Sequence, residues 1–316
     1  MLNHLVQFNI GIALLLLGVQ LLRHGLVNWG HSQLQRILRR ATSTPLRGFF
    51  WGTLATALVQ SSTAVTVLAV GLVDGGAITF YQSLGIVLGA NVGTCVTVQL
   101  LALDLEALAL PALSAGAVLT LARRSRAVGI ASLGCGLIFG SLGLMGAVLS
   151  SYEGSHSLRG YLSAMAATPL QGLVAGTLLT AFLHSSSVVT GVAMVLVSQG
   201  VISLLPALAL VLGANIGTCI TAILAALLSS WAAKRTAMAH LFINVTGAFL
   251  ILPFLSLAAT LLPLLTPDPG RQVAHFHTLF NLFSSLAALV VIKPLALFLT
   301  WLVPDGGPSG KSGTWP

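Results

Sequence analysis

The chain has 316 residues, 56% hydrophobic and only 6% charged, with a mean hydropathy of +0.98 and a formal net charge of +8. A soluble domain carries about a quarter charged residues, so the composition excludes a soluble protein and places the chain in a membrane. The basic residues sit in short clusters between apolar runs, which orient membrane segments. No basic strip interleaved with aromatics is present for nucleic acid.

A helix needs about 20 apolar residues to cross the hydrocarbon core. The segment 5–22 meets this nearly in full and lacks a basic leader and cleavage site, so it reads as a retained spanning helix. His31–Ala41 is short and amphipathic, as suits a helix lying in the interface plane. Leu46–Val59 and Ala64–Val73 are each too short to span comfortably, and polar Gln60-Ser61-Ser62-Thr63 lies between them. Two half-length helices around a polar tip predict a re-entrant hairpin over about 46–73, surrounded by protein or a water-filled cavity. Spanning helices are expected over 80–103, 107–122 and 127–149. A second hairpin, 170–197, carries His184-Ser185-Ser186-Ser187 at its tip, and further spans follow at 204–229, 236–263 and 274–303. The tail, 304–316, is rich in Gly, Pro and Ser and reads as disordered. Cys95, Cys135 and Cys219 form no CxxC pair, which argues against disulfides and zinc.

Pro45–Thr97 recurs as Pro169–Thr221 at a constant offset of 169 − 45 = 124, without a gap and with about half of the paired positions identical. In an apolar chain, two such copies signal a transporter built from structural repeats. The first repeat covers 1–126, the second 127–263, and 264–303 is an additional C-terminal spanning helix. With the amino terminus outside, Arg23, Arg36, Arg39, Arg40 and Arg47, then Arg123, Arg124 and Arg126, then Lys234 and Arg235 all fall on the cytoplasmic side. That count works only if both hairpins return to the side they entered. Three crossings in the first repeat then make the two repeats inverted, with the carboxyl terminus cytoplasmic and both tips near the midplane.

A break in a membrane helix frees backbone N–H groups at the start of the second half, and the helix dipole adds to them. Ser61, Ser62, Thr63, Ser185, Ser186 and Ser187 place hydroxyl donors at those breaks. Two such ends approaching from opposite sides suit a tetrahedral oxyanion without a buried cation. One Ser-Ser pair alone would read as a packing or back-bonding feature; two matched clusters read as a site. The Gly-Ala-Asn-Val/Ile-Gly-Thr-Cys stretches supply Asn91, Thr94 and Thr97 with their twins Asn215, Thr218 and Thr221. Their glycines, Gly89, Gly93, Gly213 and Gly217, either unwind the helix or admit a close neighbour. The unwound alternative makes 80–103 and 204–229 broken helices whose carbonyls join the Thr and Asn oxygens around a hard cation. His240/Asn244 and His277/Asn281 each share one helix face at i, i+4 and are expected to orient site residues from behind. His184 replaces the first tip's glutamine, and its titration near neutrality makes it a candidate pH sensor. No carboxylate lies mid-helix, and Asp74 comes closest, so sodium is favoured over protons as the coupling ion. Enzymatic activity is not expected, because no acid is placed to orient a Ser-His pair.

These motifs resemble the type II sodium–phosphate cotransporter family, whose members carry a QSSS-type tip twice, each followed by a G-[AS]-N-I-G-T-[ST] segment. The likeness runs on through Thr221–Leu227 and His240–Asn244 and covers most of 5–300. It implies inorganic phosphate as substrate, sodium as coupling ion, no other cofactor and a multi-pass location in the cell membrane. By resemblance the tip residues Gln60, Ser61, Ser62, Thr63, His184, Ser185, Ser186 and Ser187 contact phosphate, with Asn91 and Asn215 beside them. Sodium would be held by Gln60, Ser61, Thr94, Thr97, Ser185, Thr218 and Thr221. The departures are His184 for Gln and Thr63 for a third Ser. Another oxyanion, proton coupling and export remain alternatives, and oligomeric state stays open.

Overall fold

The computed structural model describes the chain apart from residues 1, 42–43, 104, 151–159, 161, 165 and 306–316; for Leu2 and 27–41 it describes the backbone alone. The described residues are helical throughout, with no strand. The principal helices are α1 (Leu2–Ala41), α2 (Pro45–Val59), α3 (Ser62–Asp74), α4 (Phe80–Leu101), α5 (Ala109–Leu121), α6 (Arg126–Ser150), α7 (Pro169–Leu183), α8 (Ser186–Ser198), α9 (Leu204–Ala226), α10 (Trp231–Ile251), α11 (Leu255–Leu265), α12 (Pro269–Val290) and α13 (Ile292–Leu302). Single 3-10 turns lead into α5 (Glu106–Leu108) and α11 (Leu252–Phe254). Six stretches among the described residues are long and apolar enough to cross a membrane: Asn3–Leu26, Phe80–Leu101, Arg126–Ser150, Leu204–Ala226, Trp231–Leu265 and Pro269–Val290. The protein is an all-α polytopic membrane protein.

Helices α2, α3 and α4 recur as α7, α8 and α9 at the offset seen in the sequence, and their ends repeat with them. Thr44 and Thr168 cap α2 and α7, accepting from Arg47 N and Gln171 N at 3.3 Å each, with Pro45 and Pro169 at the first helical position. A threonine cap followed by proline satisfies one orphan donor and removes another, which fixes where each pair of short helices begins. Both pairs also end alike, on Gly76 and Gly200 at φ +66° and +61°.

The two innermost helices are α4 and α9, each locked by glycines to the first short helix of its own repeat, which is the first arm of a helix pair. A Cβ on Gly89 would lie 2.1 Å from Phe49 O, and one on its twin Gly213 would lie 2.0 Å from Leu173 O. Facing glycines behave alike: Cβ atoms on Gly52 and Gly176 would meet Ile86 O at 2.6 Å and Leu210 O at 2.1 Å. Backbones therefore touch along α2–α4 and α7–α9, where dispersion contacts replace the hydrophobic effect that lipid does not supply. The second arms cross over. Val65 and Ala69 of α3 share a buried cluster with Ala222 and Ala226 of α9, and Gly191 of α8 lies against Leu101 of α4 and Leu15 of α1. Helices α1 and α6 pack on each other through Gly18, Gly25 and Gly134.

Five sequence expectations change. Helices α4 and α9 are continuous over Phe80–Leu101 and Leu204–Ala226, not broken, because their glycines serve close approach and their backbone hydrogen bonds stay intact. The segment 274–303 is two helices: α12 ends at Val290 and α13 starts at Ile292, where the ring of Pro294 excludes the carbonyl of Val290 from the ladder. Pro253 interrupts 236–263 in the same way, giving the 3-10 turn at 252–254. The segment 107–122 contains a helix of only 13 residues, about 20 Å long, short of a full span. His31–Ala41 continues α1 without a break. Most of the tail expected to be disordered, from 306 on, lies outside the described residues.

Arg235, buried near the start of α10, donates Nε to Val303 O (2.8 Å) and Nη2 to Asp305 Oδ1 (2.9 Å), tying the end of α13 to α10. The Asp305 side chain is 64% exposed, so Asp305→Ala is expected to cost less than about 1 kcal/mol, read as a small fall in thermal midpoint. Arg235→Ala, which also strips the carbonyl of Val303 of its donor, should cost more.

Candidate functional site

Gln60 and His184 are the only non-glycine residues with positive φ among the described residues, at +57° and +53°. Each ends the first arm of a helix pair in the left-handed conformation, with its N–H on the carbonyl four residues back: Thr56 O at 2.7 Å and Thr180 O at 2.8 Å. The left-handed region costs a side-chain-bearing residue about 1–2 kcal/mol, and such strain gathers where a backbone must be held for function. One extended residue follows, Ser61 or Ser185, and the second arm begins at Ser62 or Ser186. At the first tip, Ser61 Oγ accepts from Ala64 N (3.1 Å), so its own hydrogen points away from the helix. Ser185 makes no such cap bond. Ser61, Ser62, Ser186 and Ser187 are buried, Thr63 and Ser185 half-buried.

The tips differ in what the glutamine and the histidine do. Gln60 is buried, donates its amide nitrogen to Ala57 O, and leaves Oε1 with no partner; Thr97 Oγ1 is likewise buried and unpartnered. At the equivalent positions His184 is exposed, and its Nδ1 lies 3.0 Å from Thr221 Oγ1. Thr94 and Thr218 bond back to their own helices, at Ala90 O (3.0 Å) and Ala214 O (2.9 Å). Four more buried hydroxyls lack partners, and these too are twins: Thr56 with Thr180, and Thr66 with Thr190.

The asparagines are also held differently. Asn91 Oδ1 lies 3.2 Å from His240 Nε2, and Asn91 Nδ2 donates to Asn244 Oδ1 (3.3 Å), so α10 grips α4 at the middle of its motif. Asn215 donates instead to its own helix at Val211 O (3.0 Å). His277 and Asn281 reach neither tip. They pair with each other at 3.2 Å, while Ser285 of the same helix donates to Leu88 O (3.1 Å). Asn244→Ala removes the acceptor of a buried amide; the expected cost is about 1–2 kcal/mol, visible as a lowered thermal midpoint.

Three contacts escape sequence reasoning. Ser83 and Thr236 meet at 2.9 Å, Gln99 Nε2 donates to Thr278 Oγ1 (2.8 Å), and Asp74 Oδ1 accepts from Ser230 N (2.6 Å). Asp74 thereby caps the start of α10. Each polar residue was visible in an apolar run, but its partner lies more than 150 positions away. A cavity of about 130 Å³ opens where α4 and α8 end and α12 begins, lined by Glu106, Ser198, Gln199, Asp268 and Arg271 among others. It includes no tip residue, and its nearest lining residue on α8, Met194, lies about 12 Å along the helix from Ser186.

Paired helix breaks lined with hydroxyls, on a buried glycine-locked scaffold, define a membrane protein with the parts of a transporter. The family described as Na+/Pi-cotransporter matches residues 14–147 and 149–264, and the chain belongs to it. Over 306 residues it is 35% identical to the "Uncharacterized protein YqeW" of Bacillus subtilis, covering 95% of this chain and 98% of that one. It is 30% identical over 297 residues to the "Putative inorganic phosphate export protein YjbB" of Escherichia coli K12, covering 93% of this chain and 55% of that protein. It is 43% identical over 148 residues to the rabbit (Oryctolagus cuniculus) "Sodium-dependent phosphate transport protein 2A", covering 44% of this chain and 22% of that one. The chain thus spans about half the length of YjbB. No solved structure matches it.

Proposed function

We propose that the protein moves inorganic phosphate across the cell membrane by sodium-coupled alternating access, holding the anion between the tips Gln60–Thr63 and His184–Ser187. The observation that carries this reading is the matched pair of left-handed breaks at Gln60 and His184, each opening onto the start of a serine-led helix. Backbone N–H groups at Ser62 and Ser186, with hydroxyls from Ser61 to Thr63 and Ser185 to Ser187, supply donors to phosphate oxygens. The crossed packing of α3 on α9 and of α8 on α4 draws both second arms toward the same two inner helices. In an inverted arrangement of 1–126 against 127–263 the tips then approach from opposite sides. The amino terminus lies outside and the carboxyl terminus in the cytoplasm, on the positive-inside count.

Sodium is assigned first to the first tip, where Gln60 Oε1 and Thr97 Oγ1 are buried oxygens without a donor. Neutral oxygens of this kind are what a hard cation takes. Thr94 and Thr218 are placed behind the ions, since their hydroxyls already bond to their own helices. Asn91 and Asn215 flank the anion from α4 and α9, with His240 and Asn244 fixing Asn91. Each net charge moved is worth about 2.3 kcal/mol per 100 mV, so the number of sodium ions decides whether voltage drives transport.

The direct test is labelled phosphate flux in proteoliposomes. A sodium gradient should drive uphill accumulation, and unlabelled phosphate should compete better than sulfate. Accumulation that ignores sodium, or yields to sulfate and not phosphate, would contradict the reading. Reversing the gradient tests direction, which the name of YjbB makes a live question: flux outward under an outward sodium gradient is expected of a reversible carrier.

A further inference from the structure

We infer that His184 occupies, with its own ring nitrogen, the place where the first tip takes a sodium ion, so that the second tip binds phosphate without a sodium ion of its own. The inference rests on the sodium assignment at Gln60 and Thr97 made above. The two tips superimpose in sequence and in backbone: Gln60 and His184 share φ near +55° and ψ near +30°, and Thr97 and Thr221 stand at the same offset of 124. Their side chains do opposite things. At the first tip the amide nitrogen of Gln60 is committed to Ala57 O, which turns Oε1 away from the helix. That oxygen and the hydroxyl of Thr97 remain buried with no donor in reach, at 6% and 2% exposure. Desolvated oxygens of this kind are costly unless a donor or a cation reaches them.

At the second tip the corresponding space is filled. Nδ1 of His184 lies 3.0 Å from Thr221 Oγ1, a hydrogen-bond distance in either tautomer. The ring nitrogen therefore engages the hydroxyl that at the first tip is left without a partner. His184 is also exposed where Gln60 is buried, so the two side chains sit in different surroundings. Glutamine at 184 would restore a carboxamide oxygen beside Thr221 and remove the ring nitrogen. His184 is therefore a residue that sets how many sodium ions accompany each phosphate.

The test compares wild type, His184→Gln and His184→Gln/Thr221→Ala in proteoliposomes, with paired sodium and phosphate fluxes and the reversal of net flux as the stoichiometric readout. The expected result is one additional sodium ion per phosphate in His184→Gln, lost again in the double variant. An unchanged or lowered stoichiometry in a transporting His184→Gln protein would overturn the inference. If His184→Gln does not transport, sodium titration of the thermal midpoint takes over, since a ligand of the folded state raises it with concentration. His184→Gln should then gain a stabilising sodium step that the double variant lacks; the absence of that gain overturns the inference equally. A wild type whose flux and midpoint both ignore sodium refutes the assignment at Gln60 and Thr97. The gain or lack of a sodium step in His184→Gln still decides the second tip by itself.

Discussion

Replacing Ser61 and Ser185 together with alanine is expected to abolish sodium-driven phosphate transport while leaving the protein folded in the membrane. A hydrogen bond to a charged group contributes about 1.5–3 kcal/mol, so losing one hydroxyl from each tip removes about 3–6 kcal/mol of hold on the anion. That is a weakening of roughly a hundredfold or more in affinity. The structural cost is smaller and unequal. Ser61 Oγ caps α3 through Ala64 N, and losing such a cap costs about 1 kcal/mol, whereas Ser185 caps nothing. Ser185→Ala alone is therefore the cleaner variant, with phosphate affinity weakened roughly ten- to a hundredfold and thermal midpoint unchanged. Near-normal uptake in the double variant, at wild-type yield, would refute the assignment of the tips.

The second large effect concerns the scaffold. Gly89→Ala and Gly213→Ala are expected to prevent correct folding, each placing a methyl group about 2 Å from a carbonyl oxygen of the neighbouring helix, Phe49 O or Leu173 O. Overpacking a core commonly costs 1–3 kcal/mol. Here the obstacle is backbone on both sides, in a helix pair whose packing is set by small residues, so the cost should sit at or beyond the top of that range. Loss of monodisperse protein on size exclusion, or a fall of many degrees in thermal midpoint, would register it. Gly71→Ala is the control. Nothing lies within 4 Å of a Cβ there, and its twin is already Val195, so it should be neutral or stabilising by up to about 1 kcal/mol. A tolerated Gly213→Ala would mean that α7 and α9 are not in backbone contact.

The two helix breaks were legible because two signals coincide at one place. Apolar runs of half the spanning length flank Gln60–Thr63 and His184–Ser187, and the repeat shows that neither is an accident of composition. The state of the inner helices was not legible. Gly89 and Gly93 suit an unwound helix and a close approach equally well, and only the position of Phe49 and Thr53 on the neighbouring helix decides between them. Pro294 and Pro253 carried a readable signal, since each must break an interior ladder, yet hydropathy averaged over 274–303 and 236–263 smooths across them. The two His-x-x-x-Asn pairs show where sequence ends. They are alike in spacing and apolar surroundings, but His240 and Asn244 face Asn91 while His277 and Asn281 close on each other. That difference lies in how α10 and α12 are seated against α4, which one-dimensional spacing does not contain.

An experimental structure determined with sodium and phosphate both present tests the central claim most directly. The phosphate is expected between the loop Gln60–Thr63 and the loop His184–Ser187, with donors from both and a sodium ion beside Gln60 and Thr97. Density for the anion on one loop alone, or in the cavity by Glu106 and Arg271 with the two loops held apart, would contradict it.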